Sequence, residues 1–259
     1  MATSSQDSDN KAAKPHTYSA PALEKGFTIL ELLSEFPRGL TVTEMAGKLG
    51  LSVSEIFRIV MVMERLDWLR RHPGDRFRVT LRLLEMGFKA TPVDELIQIA
   101  APFMRELSYS IEQSCHLAVR NGNRGMIVYR QQTPGPTVFA VRTGADISLE
   151  PTCSGHVLLA FNAVNDGPAV EPTDRDASLE LALRKIRSRG FEMMKSTRTV
   201  GVTDISCPIF GSNGVAVAAL TVPFLQLIDG TQKVTRDDAR LILQDIAQRI
   251  SEELGAASG

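Results

Sequence analysis

The sequence predicts an α+β protein of two domains. The first is a helix-turn-helix followed by a short basic hairpin; the second has helices around an antiparallel sheet. Three observations point there. Residues 41–79, TVTEMAGKLGLSVSEIFRIVMVMERLDWLRRHPGDRFRV, read as helix, tight turn, helix and hairpin. The second half interleaves helical periodicity with hairpin signals at Asn121-Gly122-Asn123 and Gly211-Ser212-Asn213-Gly214. The chain has 259 residues, 43% of them hydrophobic, enough for two modest cores.

Residues 1–19 are polar and are expected to form a disordered tail. Pro21 opens a first helix, with Leu23, Phe27, Leu30 and Leu33 recurring at helical spacing, and Pro37 and Gly39 end it. Thr43 is expected to cap a second helix over residues 44–49, with Gly50 as its stop. Ser52 caps a third, with Glu55 at the capping-box spacing, and this helix runs to about residue 66. Residues 68–71 and 77–80 read as strands joined by the turn His72-Pro73-Gly74-Asp75. Residues 81–89 form an amphipathic helix, which Thr91-Pro92 breaks. The expected divisions are a DNA-binding domain over residues 20–82, a linker helix over 83–94 and an effector-binding domain over 95–257.

The second domain opens with a helix over residues 94–113, whose apolar stripe is Leu96, Ile99, Ala100, Phe103 and Leu107. Strands are expected at 116–120, 125–130 and 137–141, and a short helix at 154–161. A loop at 162–175 leads to a helix at 177–188, closed by Gly190. Strands at 203–210 and 215–222 make a hairpin, and Thr235 caps a final helix to residue 254.

The net charge of −1 means that any DNA binding must come from local asymmetry. That asymmetry exists: Arg65, Arg70, Arg71, Arg76, Arg78 and Arg82, with His72, face only Asp67 and Asp75. The apolar residues Ile56, Phe57, Val60 and Met63 of the third helix are expected to face the core, leaving Ser54, Arg58, Val62 and Arg65 outside. A helix fits the major groove, and its N-terminal residues come nearest the base edges. Arg58 is the expected bidentate reader of guanine, or a phosphate clamp. Ser52 and Ser54 suit phosphate or base hydrogen bonds, and Thr41 and Thr43 suit phosphate. Arg76 and Arg78 would follow the DNA backbone from the hairpin. Glu55 would either accept from a cytosine amine or serve the helix cap.

The three cysteines, Cys115, Cys153 and Cys207, are far apart, with no CxxC spacing. Reduced thiols, no apolar run near the ~18 residues needed to span a bilayer, and no signal peptide give a cytoplasmic location as the expectation. No cofactor is expected.

The runs ALEKGFTILELL, LTVTEMAGKLGLSVSEIFRIVMVMERLDWL and FRVTLRLLEMG resemble the IclR family of bacterial transcription regulators. So do APFMRELSYSIEQSCHLAVRNGNRGMIVYR, VRTGADISLEPTCSGHVLLAF, IRSRGFE and GVTDISCPIFGSNGVAVAALTV, in that order. The resemblance spans about residues 21–254. It implies a winged helix-turn-helix, a linker helix and a GAF-like effector-binding domain, in a homodimer or a dimer of dimers. It also implies operator DNA as partner, and control, as a repressor, of small-molecule catabolism genes by a small organic or aromatic acid. On the family's pattern the effector residues fall at Cys153, Ser154, Gly155, Met194, Asp204 and Thr221. Pro223 stands where a small polar residue is more usual. Met194 stands where the family often has Asp, and the 162–175 loop is shorter than usual, so an altered, less polar effector or a weakly binding pocket is expected.

Three further readings compete. Cys153 and His156 could share a helix face as a nucleophile and base, or join Cys115 and His116 in a metal site. A helix N-terminus could also lower the Cys153 pKa and make it a redox sensor. No orienting acid or nucleophile elbow accompanies the pair, so no catalysis is expected.

Overall fold

The structure, a computed structural model, describes residues 18–90, 93–161 and 177–256. The expected N-terminal tail and 162–175 loop lie outside the described residues, apart from the last residues of the tail. The chain divides into two compact units, residues 1–90 and 91–259.

The first unit contains α1 (Pro21–Ser34), α2 (Val42–Leu49), α3 (Val53–Arg65), the hairpin β1 (Leu69–His72) and β2 (Arg76–Val79), and α4 (Arg82–Ala90). The α2 cap is Thr41, two residues earlier than the expected Thr43. Thr41 Oγ1 accepts from the Glu44 N–H at 3.2 Å, and Glu44 Oε2 accepts from the Thr41 N–H at 2.8 Å, a complete capping box. Gly50, at φ 65°, ends α2 in the left-handed conformation that glycine adopts without strain.

The core of this unit gathers Ile29, Leu30, Leu33, Leu40, Met45, Ile56, Val60, Met63, Leu69 and Phe77. Full burial of each such side chain contributes ~1.5–3 kcal/mol. Leu23, Phe27 and Phe57, expected in that core, are instead 59%, 57% and 50% exposed. In α3 the buried residues are Ile56, Val60 and Met63, a strict i, i+4, i+7 stripe that leaves Phe57 a quarter-turn off the seam.

The second unit contains α5 (Val93–Ile111), β3 (Cys115–Asn121), β4 (Arg124–Gln131), β5 (Asp146–Ser148), α6 (Cys153–Ala160), α7 (Ala177–Arg189), β6 (Glu192–Lys195), β7 (Val202–Phe210), β8 (Ala216–Leu225) and α8 (Arg236–Glu253). Its sheet has the order β5-β4-β3-β8-β7-β6 and every pairing is antiparallel. Alternation along the strands divides the side chains between two faces. Leu117, Ile205, Cys207, Ile209, Leu220, Val222 and Phe224 join α5 and α8 in one core. Ala118, Ile127 and Ala219 join α6 and α7 in another.

The strand expected at 137–141 does not form. Those residues follow Pro134 and Pro136, which have no N–H to give a ladder. The outer edge of β4 is taken by β5, after a turn at Gly144 (φ 80°) whose N–H donates to Ile127 O at 2.7 Å. β6, which no alternation signals, is recruited by the edge of β7 through Glu192↔Ser206 and Met194↔Asp204.

Candidate nucleic-acid interface and ligand site

In the first unit, Ser52 accepts from the Glu55 N–H at 3.3 Å and fixes the start of α3. The expected reciprocal half of that capping box is replaced: the Glu55 carboxylate forms an ion pair with Lys25 of α1. Ser54, Arg58, Val62 and Arg65 are all exposed on one side of α3, as their spacing requires. The Arg58 Nε donates to Ser54 O at 3.3 Å, and the residue is exposed. Thr43 is exposed, whereas the Thr41 hydroxyl is committed to the α2 cap.

Partners separate the arginines into two groups. Arg76 donates two parallel hydrogen bonds to Glu44, at 2.8 and 3.0 Å, and a third to Gly39 O at 2.7 Å. Its guanidinium therefore ties the hairpin to α2 and to the turn before it. The Thr41 N–H, then Arg76, hold the Glu44 carboxyl below the usual carboxylate range. Arg70 pairs with Asp67 at 3.1 Å and Arg71 with Asp75 at 2.7 Å. Arg82 lies over the Trp68 ring and donates to Leu66 O at 2.8 Å. Arg58, Arg65 and Arg78 are exposed and make no ion pair among the described residues.

In the second unit, the α6-facing side of the sheet carries a polar row. Register places Glu192, Ser206, Thr221, His116 and Arg130 side by side across β6, β7, β8, β3 and β4. The Ser206 and Thr221 hydroxyls, both buried, share a hydrogen bond of 2.8 Å. The next row places Met194, Asp204 and Pro223 in line, with Met194 and Asp204 half-buried. Burial raises the Asp204 carboxyl above its ordinary value, against a hydrogen bond from Ser196 that lowers it. Thr152 caps α6 by accepting from the Gly155 N–H at 3.2 Å. Cys153, Ser154 and Gly155 are buried. A Cβ on Gly155 would stand 2.1 Å from Leu149 O, so only glycine permits this approach.

The redox and metal readings are overturned. The Cys153 Sγ donates toward Asp204 O at 3.3 Å and Glu192 O at 3.5 Å. Burial, with Asp204 and Glu192 nearby, pushes its pKa well above the ordinary thiol value, outweighing the helix N-terminus. Cys115 points into the opposite core and donates to Met104 O at 3.5 Å, so it cannot join His116 in a site. Among the described residues no group of three or more His, Cys, Asp or Glu could hold a metal ion.

His156 makes no hydrogen bond with Cys153 among the described residues. Its Nε2 is 2.6 Å from Glu150 O, and its Nδ1 is 3.5 Å from Glu192 Oε2, an ion-pair distance without a formed hydrogen bond. Glu192 accepts from Arg189 and from the Met193 N–H at 2.7 Å. Glu192 raises the His156 pKa, burial lowers it, and the net direction is upward.

Sequence reasoning assigned His116 no part in ligand binding. Strand alternation was the available signal, because it puts residue 116 on the face of Thr221 rather than that of Cys115.

The models for two families match the chain: "Bacterial transcriptional regulator IclR C-terminal" over residues 88–252 and "IclR helix-turn-helix domain" over residues 22–73. The chain is similar to the HTH-type transcriptional regulator KdgR of Escherichia coli, at 25% identity over 92% of this chain and 94% of that protein. It is also similar to the HTH-type transcriptional repressor AllR of Salmonella typhimurium, at 23% identity, covering 91% and 90%. Among solved structures, the Thermotoga maritima IclR shares the fold with a TM-score of 0.65 and 24% identity, covering 90% of this chain and 98% of that one. An IclR homolog from Microbacterium hydrocarbonoxydans complexed with 4-hydroxybenzoate shares it with a TM-score of 0.73 and 22% identity, covering 91% and 100%. Among the described residues no helix is long and apolar enough to cross a membrane.

Proposed function

The chain belongs to the IclR family of bacterial transcriptional regulators, a family of DNA-binding regulators and not of enzymes, and on that premise we propose that it is a ligand-released repressor of small-molecule catabolism genes in the cytoplasm. The observation that carries the DNA half is the solvent-facing side of α3, where Ser54, Arg58 and Arg65 stand clear of any ion pair. α3 enters the major groove with its N-terminal end toward the bases. Arg58 reads a guanine edge and Ser52, Ser54 and Thr43 contact the backbone. Arg78 is the hairpin's phosphate contact, and Arg76 serves by holding the hairpin against α2. The active species is a homodimer or dimer of dimers. The apolar surface left open on α1 (Leu23, Phe27) and on α4 (Leu83, Leu84, Met86, Phe88) supports this.

The effector is a small organic or aromatic acid bound between α6 and the sheet, near Cys153, Ser154, Gly155, Met194, Asp204 and Thr221. That the related Microbacterium protein was crystallised with 4-hydroxybenzoate supports an acid of this size. By linkage the ligand must prefer one arrangement of the dimer over the other. The test is binding of the protein to its own upstream DNA, titrated with a panel of small carboxylic acids. Sequence-specific binding that one acid weakens is the expected result. Binding with no preference for that DNA over a scrambled duplex would sink the reading.

A further inference from the structure

His116 has no role in the site just described, yet it is the most conspicuous polar group on that face of the sheet. Its side chain is only 6% exposed. It makes no hydrogen bond or ion pair among the described residues. His156 Nδ1 is the one fully occluded side-chain nitrogen or oxygen there without a partner. The His116 nitrogens are therefore left without a partner on this face of the sheet. A buried polar group without a partner is costly, and a bound molecule supplies the partner.

Register fixes what lies beside His116. Thr221 lies directly opposite His116 on β8, with Ser206 beyond it, and Arg130 lies opposite on β4. The hydroxyl pair of Ser206 and Thr221 uses one hydrogen internally, which leaves one O–H to donate. At the other end stands Asp204, whose carboxylate has no cationic partner among the described residues. Glu192, its neighbour on β6, is occupied by Arg189 and Met193. The face is thus donor-bearing at His116 and the Ser206–Thr221 pair and acceptor-only at Asp204, while Arg130 is exposed and donates to Val141 O at 3.3 Å. A carboxylate is repelled at the Asp204 end and finds donors at the His116 end. A hydroxyl donates to Asp204. Two strand spacings and a two-residue offset separate the two ends by roughly 12 Å between Cα atoms, a span that one substituted ring or short chain bridges with side chains leaning inward.

We propose that His116 contacts the effector directly and that the ligand is a small carboxylic acid with a hydroxyl at its far end, its carboxylate held by His116 and the Ser206–Thr221 pair and its hydroxyl by Asp204. This rests on the reading of the second unit as an effector-binding domain.

Ring-¹⁵N-histidine spectra of the full-length protein test it, because the chain has only four histidines, His16, His72, His116 and His156. The probes are 4-hydroxybenzoate, 4-hydroxyphenylacetate and 6-hydroxyhexanoate, each beside the same acid without its hydroxyl. At least one hydroxy acid shifts the His116 ring signals and binds about tenfold or more tightly than its partner. His116→Leu lowers that affinity by about tenfold or more. His116→Gln, which keeps one donor and one acceptor, retains part of it and serves if the leucine variant does not fold. The proposal is overturned if the His116 signals stay fixed while a hydroxy acid binds, if His116→Leu binds as tightly as the native chain, or if none of the acids binds. Failure of the regulator reading is distinct from all of these: the native chain would then not recognise its operator.

Discussion

At the scale of single residues, the outcome hangs on partners that local spacing does not reveal. The cap at Ser52 was legible because it needs only a hydroxyl and an N–H three residues on. The fate of the Glu55 carboxylate was not, since its partner Lys25 lies thirty positions away on another helix. That pair neutralises the one acidic group in the first turn of α3, where a lone carboxylate would oppose phosphate. Lys25→Met is therefore expected to weaken operator binding more at low salt than at high salt, and Lys25→Met with Glu55→Gln to restore most of the loss. Equal weakening at all salt concentrations would remove the electrostatic explanation. Cys153 shows the same lesson in another form: position at a helix N-terminus suggested a reactive thiol, and burial against two carbonyl oxygens reversed the direction.

At the scale of elements, helices were read well, because a 3.6-residue apolar stripe and a cap are local signals. The edge strands were not. β5 has three residues and β6 four, too few for an alternation to signal a strand; each exists because a neighbouring edge supplies its hydrogen bonds. The basic hairpin was legible as a hairpin, but not the division of labour among its arginines. Arg76 is held by Glu44 and Gly39, whereas Arg78 is exposed and unpaired among the described residues. Arg76→Ala is thus expected to lower the thermal midpoint, with weaker DNA binding as a consequence. Arg78→Ala is expected to leave the midpoint in place and to reduce the slope of log affinity against log salt by about one. A reversed pattern in paired melting and salt titrations would exchange their roles.

At the scale of the whole molecule, two histidines of the second unit impose opposite pH dependences. Burial holds the His116 pKa down at about 4, against an ordinary 6.5. The unfolded chain then binds a proton that the folded chain refuses, and stability falls as pH drops from about 6.5 toward 4, by up to ~3 kcal/mol. The Glu192 carboxylate raises the His156 pKa above 6.5. Its contribution is fully present below about 6.5 and is lost as pH rises through the raised value. Denaturant unfolding at pH 5 and pH 8 is expected to show His116→Leu losing less stability on acidification than the native chain, and His156→Gln costing more at pH 5 than at pH 8. Curves that run parallel would contradict both assignments.

The helix-turn-helix and the antiparallel sheet with its helices were readable from the sequence, and family membership joins them into one regulator. The proposed reader of DNA sequence is the exposed side of α3, through Arg58. The direct measurement is fluorescence anisotropy of native protein and Arg58→Ala on the chain's own upstream DNA and on duplexes with single substitutions across the half-site. The expected result is a loss of ~1–3 kcal/mol for Arg58→Ala, with preference relaxed at one base pair and non-specific affinity little changed. Undiminished discrimination at every base pair after Arg58→Ala would contradict the claim.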